Sequence, residues 1–340
     1  MHVAQNAKPP GSDAQALLQL DAGAEVERIS EFLRTQLGEV LHRRGLVIAM
    51  SGGVDSSVCA ALAAHAVGAR RVFGIFMPER DSDPVSLELA RGLAEQLGIT
   101  WAVEDIAPTL EAVGCYRRRD EAIRRVVPEY GPDWACKIML PGDRLETDRL
   151  NVYYLAVRPP GGDVRTVRLT ATSYLEIVAA TNFKQRVRKM LEYHHADRLH
   201  YAVIGSPNRL EYDQGFFVKG GDGLADVKPI AHLYKTQVYQ LAHHLGVPEG
   251  ITGRPPTTDT YSLPQTQEEF YFSLPATTMD LVLHARNSGW TAEEAAARLG
   301  LRQDQVVRAF ADIDQKRSTT DYLHTTSLLV EPISRVSDKG

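Results

Sequence analysis

The sequence predicts an α/β protein with a doubly wound parallel sheet, helices on both faces, an inserted hairpin-like segment and a C-terminal helical module. An apolar run at 46–50 precedes a Gly-Gly turn and a helical pattern at 54–67. Two further apolar runs, at 71–78 and 99–106, flank a helical stretch at 84–97. This alternation of strands and helices is typical of parallel sheets with crossover helices.

The composition is that of an ordinary globular protein. The chain has 340 residues, of which 44% are hydrophobic and 24% are charged, so we expect a sizeable core. A formal net charge of −5 indicates neither a nucleic-acid partner nor a membrane surface. Three cysteines form no C-x-x-C pair, which argues against a zinc or redox motif. No signal peptide or membrane-spanning run is recognisable, so we expect a cytoplasmic protein.

Three parts are predicted along the chain. Residues 1–23 are polar and interrupted by Pro and Gly, as in a mobile arm. Residues 24–260 form the main domain, in which residues 131–180 break the alternation with several prolines and a β-like run at 164–171. We interpret 131–180 as an insertion. Residues 261–340 form a C-terminal loop and helical module.

The remaining elements are predicted from apolar spacing and caps. A helix at 24–44 precedes the first strand, and a helix at 181–197, opened by a Thr-Asn cap, precedes a buried strand at 201–204. A further amphipathic helix spans 234–245. The C-terminal module has helical patterns at 278–287 and 303–314 and a capping box at 291–294, and no period is recognisable from residue 315 onward.

A predicted helix at 108–127 carries a basic run of Arg117, Arg118, Arg119, Arg124 and Arg125. The simplest interpretation is a solvated face. The alternative is a contact with another subunit or with a ligand phosphate.

The turn SGGVDSS at 51–57 is a candidate phosphate cradle. Ser51, Gly52 and Gly53 carry little side chain, so a polyphosphate can approach backbone N–H groups at the start of a helix. Asp55 would repel phosphate unless Mg²⁺ bridges the two. The Gly-Lys-Ser/Thr ending of kinase-type loops is absent, which disfavours transfer of a γ-phosphate.

A second polar stretch lies at 205–235. Its side chains offer cations, carboxylates and amides beside several glycines, as a site for phosphates, a metal and a polar substrate requires. The alternative is a solvated turn. The residues are Ser206, Asn208, Glu211, Lys219, Asp222, Asp226 and Lys235.

Together these blocks resemble the NAD⁺ synthetase family, in the ammonia-dependent form that has no fused glutaminase domain. The resemblance rests on SGGVDSS, TNFKQRVRKMLEY, GSPNRLEYDQGFFVK with GDGLADVKPI, LYKTQVYQLAHHLGVP and PPTTD, in that order. It implies ATP-dependent amidation of deamido-NAD⁺ with ammonia through an acyl-adenylate, giving NAD⁺, AMP and pyrophosphate. It also implies Mg²⁺ as cofactor, ATP as co-substrate and a homodimer.

The resemblance assigns roles to individual residues. Asp55 and Glu211 would hold Mg²⁺, and with Lys235 they form the predicted catalytic set. Deamido-NAD⁺ would contact Arg186, Lys219, Asp226, Gln315 and Lys316, of which the last two stand where the family often has His-Lys at a mobile substrate loop. ATP would contact Ala49, Met50, Ser51, Gly52, Gly53, Val54, Asp55, Ser56, Ser206, Lys235 and Thr257.

Two other functions stay open from the sequence. One is an amide synthetase of the same fold that adenylates a different carboxylate. Gln315 and the insertion at 131–180 point to it, whereas Arg186, Lys219 and Asp226 argue for the dinucleotide. A nucleotide-binding sensor without turnover is disfavoured, because Asp55 and Glu211 would repel phosphate without a metal. No glutaminase nucleophile is visible, so free ammonia is the expected nitrogen donor, with a separate amidotransferase partner as the alternative.

Overall fold

The computed structural model describes residues 14, 16–140, 153–254, 260–264, 271 and 274–333. Within these residues, no helix has both the length and the apolar character needed to cross a lipid bilayer.

A parallel sheet of four strands forms the centre of the fold. Strand β1 (Leu46–Ala49) pairs with β2 (Val72–Phe76) on one side and with β7 (Ala202–Ile204) on the other. Strand β3 (Thr100–Val103) pairs with β2 at the edge. The chain reverses its direction of winding between β1 and β7, so the turn after β1 lies where open α/β sheets bind ligands.

Helices cover both faces of this sheet, as predicted. One face packs against α1 (Ala22–Thr35), α2 (Val54–Val67), α3 (Pro84–Leu97) and α8 (Lys235–His244). The other packs against α4 (Ala107–Ala112), α5 (Cys115–Arg124) and α6 (Ala171–Leu199). Short helices α7 (Arg209–Asp213) and α9 (Glu249–Thr252) flank α8.

The basic run on α5 was interpreted as a solvated face, but Arg119 of this run is buried. Its side chain is 3% exposed and donates to Asp81 (Nη1–Oδ2, 2.8 Å) and Asp120 (Nε–Oδ1, 2.9 Å). Arg117 and Arg125 are exposed and pair with surface glutamates. One arginine of the run therefore belongs to an internal ion network, and the sequence spacing gave no sign of it.

The insertion is a three-stranded antiparallel sheet, one strand more than a hairpin. Its strands are β4 (Ala135–Met139), β5 (Tyr154–Arg158) and β6 (Arg165–Arg168), in that order across the sheet. It packs through Cys136, Ile138, Leu155 and Val157 against α5 and α6. The predicted run at 164–171 corresponds to β6 alone.

Helix α6 begins ten residues earlier than predicted. The Thr170 hydroxyl accepts a hydrogen bond from Ser173 N (3.1 Å) and caps the helix. Thr181, predicted as the cap, instead donates its hydroxyl to Ile177 O (2.6 Å) inside the helix. The first turns of α6 are rich in β-branched and aromatic residues. Because these residues have a weak helix propensity, the sequence did not indicate that the helix begins there.

The C-terminal module contains α10 (Ala276–Asn287), α11 (Ala292–Leu299) and α12 (Gln303–His324), which share a second apolar core. The predicted capping box is present at the start of α11. The Thr291 hydroxyl accepts from Glu294 N (3.1 Å), and the Glu294 carboxylate accepts from Thr291 N (2.8 Å). In the segment predicted as an N-terminal arm, Ala14 and Leu18 are buried against this core.

Helix α12 continues ten residues beyond its predicted end at 314. Threonines weaken the apolar period here, but their hydroxyls donate to carbonyls one turn back, Thr319 to Gln315 O (2.9 Å) and Thr320 to Lys316 O (2.7 Å). Residues 315 and 316 therefore lie in the middle of a helix, and the prediction of a mobile loop at this position is wrong.

Candidate active site

The turn after β1 packs tightly against the start of α3. Gly52 has φ +77°, and a Cβ atom there would lie 2.3 Å from the backbone oxygen of Ser86. The hydroxyls of Ser56 and Ser57 donate to Gly53 O at 3.0 and 2.8 Å. This turn is thus held in one conformation at the N-terminus of α2, whose first N–H groups are available to an anion.

A charged cluster lies beside this turn. The buried Lys235 ammonium forms an ion pair with the Asp55 carboxylate, and Asn208 Nδ2 donates to Asp55 Oδ1 (3.2 Å). Asn208 is also the cap of α7, where its backbone N–H donates to Glu211 Oε2 (3.1 Å). Burial lowers the pKa of the Lys235 ammonium, but the attraction of the Asp55 and Glu211 carboxylates has the larger total effect. The pKa of Lys235 is therefore raised.

The cluster has the donors that Mg²⁺ prefers. Mg²⁺ is usually bound by one or two carboxylates together with substrate phosphates and water. Asp55 and Glu211 supply two carboxylates beside the Lys235 ammonium at the edge of the phosphate turn. Among the described residues, no group of three or more His, Cys, Asp or Glu side chains could hold a metal alone. The residues present therefore fit a magnesium ion shared with phosphate.

The turn and the charged cluster open into a cleft of about 830 Å³ at the carboxyl edge of the sheet. The predicted ATP contacts in 49–56, together with Ser206, Glu211 and Lys235, all line it. Thr257 lies outside the described residues. Helix α6 forms one long wall, and one side is closed by Thr319, Thr320, Tyr322 and Leu323 of α12.

The predicted contacts to the dinucleotide are only partly brought together. Arg186 and Lys219 line the cleft, and the Lys219 ammonium donates to Tyr322 O (2.6 Å) and Thr325 O (2.8 Å) at the end of α12. Asp226 is exposed outside the cleft lining, where it accepts from Val203 N (2.7 Å) and from the Tyr193 hydroxyl (3.2 Å).

Gln315 and Lys316 are not brought to the cleft. Lys316 is 8% exposed, and its ammonium binds Tyr271 O (2.7 Å) and the Asp312 carboxylate (2.6 Å). These bonds hold α12 in place. The structure therefore contradicts the expectation that the pair lies on a loop over the substrate.

Lys184, a residue of the cleft wall, and its two carboxylate partners were missed from the sequence. Lys184 of α6 is buried and donates to Glu79 Oε1 (2.7 Å), Asp81 Oδ2 (2.8 Å) and Thr260 O (2.8 Å). Glu79 and Asp81 follow β2, and the end of a parallel strand is a signal that would have marked them as candidates. No local pattern marked Lys184.

A second buried charge group lies farther along α6. The Lys189 ammonium donates to Glu192 Oε2 (2.7 Å), and both side chains are about 5% exposed or less. Asp222 lies nearby in the same cleft and accepts from Val218 N (2.8 Å). Burial raises the pKa of both Glu192 and Asp222. These carboxylates are therefore better proton acceptors than exposed ones.

Comparisons with known proteins agree on one family. The family model described as NAD synthase matches residues 25–126 and 162–322. The chain is 58% identical over 319 residues to the NH₃-dependent NAD⁺ synthetase of Rhizobium meliloti (strain 1021), covering 94% of this chain and 95% of that protein. It is 36% identical over 258 residues to the protein of the same description from Thermotoga neapolitana, covering 76% and 82%.

Solved structures show the same fold at low identity. The NH₃-dependent NAD synthetase from Campylobacter jejuni superposes with a TM-score of 0.60 at 20% identity, covering 92% of this chain and all of that one. The NMN synthetase from Francisella tularensis superposes with a TM-score of 0.59 at 21% identity, covering 92% and 99%. At these identities the likeness concerns the fold alone.

Proposed function

The chain belongs to the NAD synthase family, and on that premise we propose how its cleft carries out ammonia-dependent NAD⁺ synthesis. The activity is that of a carbon–nitrogen ligase that uses ATP. In the proposed reaction, the carboxylate of deamido-NAD⁺ attacks the α-phosphorus of ATP and pyrophosphate leaves. Ammonia then attacks the acyl-adenylate, and AMP leaves as the amide forms. The observation that supports this most directly is the Asp55–Lys235–Glu211 cluster beside the turn at Gly52.

The first step needs the ATP phosphates held in line. The rigid backbone at 51–53 and the N-terminus of α2 present N–H groups to the departing pyrophosphate. The Lys235 ammonium, fixed by Asp55, lies in the same cleft to offset negative charge that grows on the phosphates. Mg²⁺ held by Asp55 and Glu211 would supply further neutralisation of that charge when bound.

The second step needs a proton acceptor, since the attacking ammonia loses a proton as the amide forms. Glu192 is buried and Asp222 is half-buried in the cleft, and desolvation raises the pKa of each carboxyl. We assign the role of proton acceptor to Asp222 and Glu192. The Lys189 ammonium donates to Glu192 and supplies a positive charge beside it. No covalent enzyme intermediate is required, because the adenylate itself carries the good leaving group.

A homodimer completes the proposal. Asp226 matches a dinucleotide contact in the family yet lies outside the cleft of its own chain, which supports a dinucleotide site that extends to a second copy. Sedimentation velocity with and without deamido-NAD⁺ tests this. A monomer under both conditions would contradict it.

The reaction is tested by exchange of labelled pyrophosphate into ATP. We expect exchange only when deamido-NAD⁺ is added, and AMP and NAD⁺ only when ammonium is added as well. A panel of other carboxylates, including nicotinate mononucleotide, serves as the control. Exchange with one of those acids and none with deamido-NAD⁺ would show that the substrate is that other acid. The proposed adenylation of a carboxylate would still hold.

A further inference from the structure

The insertion places an aromatic ring in the cleft. Tyr153, which directly precedes β5, stacks on Tyr174 of α6 with ring centroids 4.0 Å apart and an angle of 15° between the ring planes. Both rings line the cleft and are half-buried. The backbone oxygen of Tyr153 accepts from Leu169 N (2.9 Å), so the position of the residue is set by the antiparallel sheet.

Tyr153 belongs to a part of the chain that the family model does not cover, whereas Tyr174 lies within the matched range 162–322. Residues 127–161, which include Tyr153, fall between the two ranges matched by the family model. Lys184, bound to the end of β2 through Glu79, follows Tyr174 by ten residues on α6. At about 1.5 Å of rise per residue, Tyr174 lies about 15 Å along the helix from Lys184. The insertion thus extends the cleft wall away from the sheet edge.

A stacked tyrosine pair on a cleft wall is suited to a planar ring. Tyr261 and Tyr271 line the same cleft, so its wall carries further aromatic rings with hydroxyls. Both substrates of the proposed reaction carry flat heteroaromatic rings, and stacking of such rings on aromatic side chains is favourable and tolerant of ring type.

We propose that Tyr153 and Tyr174 form a stacking subsite for the heteroaromatic ring of a bound nucleotide, and that Tyr153 is a specificity residue supplied by the insertion. The inference rests on the proposed function, since it takes ATP and deamido-NAD⁺ as the ligands. The shared chemistry is ring stacking, and the experiment below separates the two nucleotides.

The test compares Tyr153→Leu, which removes the ring, with Tyr153→Phe and Tyr153→Trp, which keep one. Tyr154→Leu is the matched control, because Tyr154 is the next residue, is half-buried and lies outside the cleft lining. KM is measured for each nucleotide with the other saturating, and binding of each is measured by calorimetry. Thermal melting of every variant checks folding.

We expect Tyr153→Leu to raise KM and Kd about tenfold for one nucleotide, with kcat nearly unchanged. The Phe and Trp variants and Tyr154→Leu should stay within about twofold of the wild type. The nucleotide affected identifies the ring that stacks. Unchanged values for both nucleotides in Tyr153→Leu, or an equal loss in Tyr153→Phe, would overturn the proposal. Wild-type NAD⁺ formation in the same assay reports on the proposed function independently.

Discussion

Asp55 and Lys235, which are 180 residues apart in the chain, form an ion pair at the edge of the phosphate turn. Lys235 opens α8 and is 3% exposed, whereas the Asp55 side chain keeps 17% of its surface accessible from the cleft. A buried ammonium that is paired with a partly accessible carboxylate can bind phosphate through the cation and a metal ion through the carboxylate. The pair therefore joins the turn after β1 to the polar stretch after β7.

Asp55→Asn should nearly abolish AMP formation. The amide keeps the shape and can still accept from Asn208 Nδ2, but it removes the charge that would hold a metal. We expect kcat/KM to fall by at least on the order of a hundredfold, with little change in melting temperature. The measurement is AMP release with excess Mg²⁺. Wild-type turnover in the variant would exclude a metal-binding role for Asp55.

Gly52→Ala should disable the phosphate turn. The new Cβ would meet the Ser86 backbone oxygen at 2.3 Å, and φ is +77°. Gly98→Ala is a matched control, since Gly98 has φ +68° at the end of α3 but open space around it. Both changes add about 1 kcal/mol of backbone strain, and only the first adds a clash. We expect calorimetry to detect ATP binding in Gly98→Ala and not in Gly52→Ala; equal ATP binding in the two would contradict the role of this contact.

Sequence patterns were sufficient for the sheet and its ligand edge. Apolar runs buried on both faces mark β1 and β2, and small residues mark the turn between β1 and α2. The predictions of family, fold class and activity are confirmed, whereas the roles of single site residues stay predictions.

What the sequence did not reveal has a physical cause in each case. The start of α6 is capped by the Thr170 hydroxyl, and the last turns of α12 contain threonines whose hydroxyls donate to carbonyls one turn back. The β-branched residues in both places obscure the helical period. Lys184 and Glu79 are 105 residues apart, and nothing local to either indicates that the other will neutralise it. Burial of ionised groups is a property of the packed fold, so only the structure reports it.

Lys184→Met should destabilise the protein. Lys184 and Glu79 are 2% and 0% exposed, so the change leaves Glu79 and Asp81 as buried carboxylates with one cation fewer. We expect a loss of about 3–5 kcal/mol in the free energy of unfolding, measured in urea. Adding Glu79→Gln should recover part of it, because one uncompensated charge is removed. Lys137→Met, at a half-buried lysine whose ammonium donates to Pro264 O (3.0 Å), is the control. Equal stability of Lys184→Met and wild type would show that the network contributes nothing.

Asp280 should make stability fall as the pH rises. Burial raises the pKa of Asp280 to about 6, although Thr236 N and Oγ1 both donate to its Oδ2 at 2.7 Å. The folded state therefore holds a proton that the unfolded chain releases near the ordinary value of 3.8. This contribution is fully present below about pH 4 and is lost by about pH 6, a change of about 3 kcal/mol.

Asp280→Asn isolates this effect. The amide cannot titrate, so the stability of the wild type relative to the variant should decrease between about pH 4 and pH 6. Urea unfolding at several pH values measures the difference. Parallel curves for the two proteins would show that Asp280 has the same pKa in the folded and unfolded states.

Ammonium salts should support NAD⁺ formation, and glutamine alone should not. Glutaminases of the cysteine type need an accessible thiolate. Cys59, Cys115 and Cys136 are all buried, and burial raises the pKa of each thiol. Each therefore stays protonated and shielded from an amide substrate. The measurement is NAD⁺ and glutamate from the purified chain supplied with ATP, deamido-NAD⁺ and one nitrogen donor, and a separately added glutaminase should restore the reaction with glutamine. Formation of NAD⁺ and glutamate from glutamine by the chain itself would contradict the prediction and would require a nucleophile other than these three thiols.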